Sequence, residues 1–224
     1  MLKGVIFDFD GVLVDSEKAH FEGMRLALLE NAGIDITFHE YTEHYLAYDD
    51  HGGMRRALER YEKDTHPNVV DGLATRKKTL FEELLPKIAF LPGAADLIVV
   101  LHEARVPLAI ASGARRVEIE TLLQAANLLD RFNGIVSADD VVSFKPHPEP
   151  YLRARAFVGA LDSPEGIVVF EDSAPGIAAA RAADLRVIAI TNSMPRAKLG
   201  LAHGIIDSLT EMSLPALEAF AGGH

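Results

Sequence analysis

Three observations predict an α/β protein: a doubly wound, Rossmann-like parallel sheet carrying an inserted all-helical segment. Short β-branched runs recur with helical stretches between them, one stretch of about seventy residues breaks that alternation, and polar residues fall repeatedly where the strands end. Strand and helix in alternation imply a parallel sheet covered on both faces, whose strands read as continuous apolar runs.

The elements follow in chain order. "GVIFDF" at 4–9 is the first predicted strand, ending in Asp8 and Asp10. From about Glu17 to Ile88 no strand pattern is present; the stretch reads as amphipathic helices, "HFEGMRLALLENAG" closing on Gly33, "GGMRRALERYEK", and "VVDGLATRKKTLFEELL" stopped by Pro86. "FLPGAADL" at 90–97 returns the chain to the sheet, and "VPLAIAS" (106–112), "GIVSA" (134–138), "GIVVFED" (166–172) and "RVIAIT" (186–191) supply four further strands. The predicted division is therefore a core of residues 1–16 and 89–224, with residues 17–88 forming a helical insertion, expected as a small lid above the sheet.

Composition excludes several functions. The 224 residues carry a formal charge of −11, with 22 basic side chains scattered along the chain, so the electrostatic footprint of a nucleic-acid binder is missing. There is no cysteine, which removes disulfides, thiolate metal sites and cysteine nucleophiles together. The longest apolar runs, such as "LIVVL" at 97–101, are far below the roughly 20 residues of a membrane helix, and no signal-peptide pattern opens the chain. The expectation is a cytoplasmic protein, monomer or homodimer, whose partner is a small molecule rather than nucleic acid or membrane.

Ligands of open parallel sheets collect outside the carboxyl ends of the strands. Asp8 and Asp10 stand there after the first strand, Ser112 and Gly113 after the second, Lys145 in "SFKPHPEP" beyond the third, and Glu171 and Asp172 after the fourth. Clustered carboxylates repel unless a cation sits among them, and an all-oxygen donor set suits Mg²⁺. With that charge offset, Asp8 can attack phosphorus and form an aspartyl phosphate, while Asp10 protonates the leaving oxygen and later deprotonates water. Lys145, Ser112 and the amides of "SGA" would hold the phosphoryl oxygens.

"DFDGVLVDS" resembles the aspartate-nucleophile signature of the haloacid dehalogenase superfamily, and "ASGA", "KPHPEPY" and "FEDSAPGIAAARAA" resemble its second, third and fourth motifs in order. The helical insertion falls where the phosphoglycolate phosphatase and β-phosphoglucomutase branch carries its cap. The resemblance implies Asp8 as nucleophile and metal ligand, Asp10 as acid/base with its main-chain carbonyl on the metal, Ser112 and Lys145 as phosphate binders, and Glu171 with Asp172 as the acidic metal pair. Two positions depart from the family pattern: Val12 replaces a frequent threonine, and Asp184 a usual glycine, where a left-handed helix end tolerates Asp better than most residues.

In the cap, His20 and Arg55 are candidate substrate-binding residues, and the glycines of "DDHGGMRR" could open an anion-holding helix start. Tyr41, Tyr45 and Tyr48 are expected to pack the cap's own core. The expected function is a Mg²⁺-dependent phosphatase acting on a small phosphorylated metabolite. A sugar phosphomutase would use the same residues, and a phospho-acceptor signalling domain would combine similar groups but place its acceptor on a later strand and have no use for a cap.

Overall fold

The structure, a computed structural model, describes residues 1–46, 48–159 and 163–223; His224, the last residue of the expected core, lies outside them. In chain order the elements are β1 (Gly4–Phe7), α1 (Glu17–Ala32), α2 (Phe38–His44), α3 (Asp50–Arg60), α4 (Pro67–Leu84), α5 (Ala94–Glu103), β2 (Leu108–Ala111), α6 (Arg116–Ala125), β3 (Gly134–Val136), α7 (Glu149–Phe157), β4 (Ile167–Glu171), α8 (Ala174–Ala182), β5 (Arg186–Ile190), β6 (Gly204–Ile206) and α9 (Leu214–Ala221). The chain divides into two compact units, Met1–Asp15 with Ala89–His224, and Ser16–Ile88.

In the first unit the strands form one parallel sheet in the order β3-β2-β1-β4-β5-β6. All residues of β1, β2 and β4 are buried, which accounts for their unbroken apolar runs. Ile6, Ala109, Val169 and Val187 share one core with Tyr151 and Ala154 of α7 and with Ile177 and Ala180 of α8. From β1 the chain builds first to one side through β2 and β3, then to the other through β4, β5 and β6. The reversal therefore lies between β1 and β4, where such sheets open a crevice at their carboxyl ends. β6, three residues opened by Gly204, was not expected from the sequence.

The second unit is built of helices, with no strand among its described residues. Met24, Ala27, Leu28, Tyr41, Tyr45, Leu58, Leu73 and Leu80 fill its core. Gly33 takes φ 67° and ends α1, as a left-handed helix terminus favours. Thr37 Oγ1 accepts from Glu40 N–H to cap α2, and Asp49 Oδ1 accepts from Gly52 N–H at 2.8 Å to cap α3. Tyr48, expected in this core, is exposed instead, with the Arg56 guanidinium 5.2 Å from its ring centre. Among the described residues no helix is long and apolar enough to cross a membrane.

Candidate active site

Strand pairing assembles the acidic cluster. Phe7 of β1 is level with Phe170 of β4, and Asp8 N–H extends the ladder by donating to Phe170 O at 2.9 Å. Asp8 thus leaves the sheet beside Glu171 and Asp172, and carboxylate oxygens of all three lie within 4.8 Å of one another, each residue buried. Directly after Asp8 the chain folds into a tight loop, with Leu13 N–H and Val14 N–H donating to Phe9 O and Gly11 N–H to Val14 O. Asp10 stands in this loop, half-buried, and its carboxylate is not a member of the cluster.

Lys145 arrives from the β3–α7 loop. Its Nζ lies 3.0 Å from Asp8 Oδ1 and 2.6 Å from Glu171 Oε1. Tyr151, wholly buried on α7, donates its hydroxyl to the same Glu171 oxygen at 2.6 Å. Asp172 N–H, Ser173 N–H and Ser173 Oγ donate to Glu171 Oε2. Glu171 therefore accepts from five donors, two on one oxygen and three on the other. Ser173 also caps α8, its Oγ accepting from Gly176 N–H.

Burial and charge act unequally on these groups. Burial pushes the Asp8 carboxyl well above its ordinary value, with Lys145 opposing and the two neighbouring acids reinforcing the rise. Burial likewise lifts Asp172, to about 6, against a hydrogen bond from Ser193. Glu171 is held below the carboxylate range: burial would raise it, but Lys145 and the Tyr151 and Ser173 hydrogen bonds outweigh burial. Burial disfavours the Lys145 ammonium too, yet Asp8 and Glu171 raise it above the ordinary lysine value.

Three buried carboxylates facing one ammonium leave negative charge uncompensated, a costly arrangement in a nearly dry site unless a further cation enters. The donors are all hard oxygens, as Mg²⁺ requires. Room is kept beside them by Gly11, at φ 76°: a Cβ there would fall 1.8 Å from Asp172 Oδ2. The residues fit a small divalent cation.

Ser112 is buried one strand over from Asp8, at the end of β2, and its Oγ accepts from Ala114 N–H at 3.0 Å, which leaves the hydroxyl hydrogen to be donated elsewhere. Gly113 is exposed, with open space around it. Helix α6 begins only at Arg116, with Arg115 as its N-cap, so the "SGA" amides belong to the loop before it. Asp184 takes φ 58°, the left-handed conformation anticipated for it.

In the helical unit, His20 is stacked on Phe81 at 4.0 Å and its Nδ1 lies 3.0 Å from Lys77 Nζ, which also pairs with Asp50 at 2.5 Å. Burial, then the Lys77 charge, lower the His20 pKa to about 4, so the ring is neutral and Nδ1 accepts from the ammonium. Lys77 is itself buried at 6% exposure, a residue that sequence reasoning missed because "TRKKTL" reads as a solvated helix face. Arg55 is exposed and donates to Thr65 O at 3.4 Å. The Gly52 amide that could have met an anion is taken by Asp49. Ser193 and Asn192, beyond β5, also escaped sequence reasoning: Ser193 Oγ donates to Asp172 Oδ2, and Asn192 Nδ2 to Gly11 O at 2.8 Å.

A family model for haloacid dehalogenase-like hydrolases matches residues 2–184. A phosphorylated carbohydrates phosphatase from Thermotoga maritima is 31% identical over 207 residues, covering 92% of this chain and 93% of the relative. Hexitol phosphatase B from Escherichia coli K12 is 29% identical over 212 residues, 93% of each chain. The crystal structure of CbbY from Rhodobacter sphaeroides in complex with phosphate superposes with a TM-score of 0.79 at 26% identity, covering 97% of this chain and all of that one. The four sequence motifs, the meeting of the first, third and fourth at Asp8, Lys145, Glu171 and Asp172, and a match spanning most of the chain agree: the chain belongs to the haloacid dehalogenase-like hydrolase family.

Proposed function

We propose that this protein is a Mg²⁺-dependent phosphoric monoester hydrolase, acting on a small phosphorylated carbohydrate or polyol through an aspartyl phosphate at Asp8. The observation that carries this reading is the pairing of the Asp8 carboxylate with the Lys145 ammonium inside an acidic, buried cluster at the sheet's reversal point. The phosphatase activities named for the Thermotoga maritima and Escherichia coli relatives support the substrate class.

Asp8 and Asp172 would hold the metal through their carboxylates and Asp10 through its main-chain carbonyl. Glu171, expected to share that ligation, has both oxygens engaged by protein donors, so its part is to stand behind and fix Lys145. Bound there, Mg²⁺ would neutralise charge on the phosphoryl oxygens.

The chain's own groups then divide two displacements. Asp8 attacks phosphorus; the P–O ester bond breaks, and the departing alkoxide takes a proton from Asp10. Water, losing its proton to Asp10, attacks the aspartyl phosphate; the Asp8–phosphorus link breaks and inorganic phosphate leaves. Lys145 and the Ser112 hydroxyl stabilise the transferring group electrostatically. Substrate choice is assigned to residues 17–88, since the core motifs handle only the phosphoryl group.

The test is phosphate release from a panel of hexose, pentose, hexitol and glycolate phosphates with Mg²⁺, for wild type and Asp8→Asn. Wild type is expected to turn over at least one sugar or polyol phosphate and Asp8→Asn to lose three orders of magnitude or more. Full activity in Asp8→Asn overturns the reading. Conversion of β-glucose 1-phosphate into glucose 6-phosphate without phosphate release would make the enzyme a mutase instead.

A further inference from the structure

We propose that Ser193, in the loop after β5, is a positioning residue that sets divalent-metal affinity by orienting Asp172. This rests on the reading of Asp172 as a metal-binding carboxylate. Three segments far apart in the chain meet here. Ser193 Oγ donates to Asp172 Oδ2, Asn192 Nδ2 donates to Gly11 O at 2.8 Å, and a Cβ on Gly11 would fall 2.6 Å from Ser193 Oγ. The turn after β1, the end of β4 and the loop after β5 are thus joined at one point.

The loop that brings Ser193 is itself anchored. Thr191 N–H donates to Ile206 O, and Thr191 Oγ1 donates to Asp207 Oδ1 at 2.8 Å. Arg196 donates to Ile205 O at 3.1 Å and pairs with Asp207 at 2.7 Å. Both ends of the 191–196 segment are therefore held to the end of β6, and the donor aimed at Asp172 starts from a fixed base.

Glu171 and Asp172 are neighbours in sequence but are held differently. Glu171 is fixed by donors of its own turn, by Lys145 and by Tyr151; Asp172 receives its hydroxyl donor from another strand's loop. A carboxylate on a short stem has two soft torsions. A donor on one oxygen stops that rotation and gives the other a defined place to meet a cation. Hydrogen-bond partners behind metal-binding side chains are typically worth 10–100-fold in metal affinity. The residue is exposed, so its truncation removes the hydroxyl without opening a core cavity.

The experiment is Mn²⁺ binding followed by electron paramagnetic resonance of the free ion, and Mg²⁺ binding by calorimetry, on the full chain without substrate. Thermal melts in EDTA check folding. Ser193→Ala is expected to weaken both ions about 10–100-fold, while Ser193→Thr, which keeps the hydroxyl, stays within about threefold of wild type. Should Ser193→Ala fail to fold, Ser193→Cys makes the same comparison. Binding within twofold of wild type in the folded variant that lacks the hydroxyl overturns the role of Ser193, as does equal weakening in Ser193→Thr. Asp172→Asn separates the two claims: if it binds as tightly as wild type, the metal reading of Asp172 fails first, whereas its loss alongside an unaffected Ser193→Ala refutes only Ser193.

Discussion

Lys145 Nζ and Glu171 Oε1 meet at 2.6 Å across 26 positions of sequence, and Asp8 Oδ1 lies 3.0 Å from the same ammonium. Removing that ammonium takes away the cation that Asp8 and Glu171 share among the described residues. Lys145→Met is expected to lose about 3 kcal/mol of stability in EDTA, the scale for breaking a buried ion pair. Mg²⁺ is expected to restore stability more in the variant than in wild type, where a ligand at 100 times its Kd contributes about 2.7 kcal/mol. Urea denaturation with and without Mg²⁺ checks this; equal Mg²⁺ stabilisation in both proteins contradicts it.

Tyr151 donates to Glu171 from a wholly buried position. Tyr151→Phe keeps the ring and removes only the hydroxyl. Since other donors still hold Glu171, a loss of about 1.5 kcal/mol is expected, the lower end for a hydrogen bond to a charged group. Chemical denaturation measures it, and a loss below about 0.5 kcal/mol would show that Lys145 and Ser173 suffice.

Gly176 lies in the first turn of α8 directly against the Glu171 carboxylate, where a Cβ would fall 1.7 Å from Oε1. Gly176→Ala must push Glu171 or the helix aside, although alanine favours helix. A destabilisation above about 4 kcal/mol, or failure to accumulate folded protein, is expected. A Gly176→Ala protein as stable as wild type would contradict the close packing of α8 on this carboxylate.

His20 makes stability depend on pH. Its folded pKa, lowered to about 4, lies below the ordinary 6.5. Above pH 6.5 the ring is neutral in both states and contributes no slope. Between pH 6.5 and 4 the unfolded chain binds the proton first, so stability falls as pH falls, by up to about 1.4 kcal/mol per pH unit. Below pH 4 this contribution levels off. His20→Gln is expected to flatten that slope; denaturation series from pH 4 to 8 on both proteins decide, and identical slopes exclude His20 as its source.

Strands β1 to β5 were legible in the sequence, because burial leaves a continuous apolar local signature. The same holds for the helical insertion and for Asp8, Lys145, Glu171 and Asp172, which sit at strand ends or in adjoining loops where a parallel sheet gathers its ligands. Tertiary structure alone decided which groups hold them. Tyr151 ends the motif "KPHPEPY" with nothing local to say what its hydroxyl meets, Ser193 reads as part of a polar turn and Lys77 as a solvated charge, until packing brings each to a partner 20, 21 or 27 positions away. Periodicity and motif spacing record what neighbours along the chain require; burial of a lysine, or a hydroxyl aimed at a carboxylate on another strand, is set by contacts that no local pattern encodes.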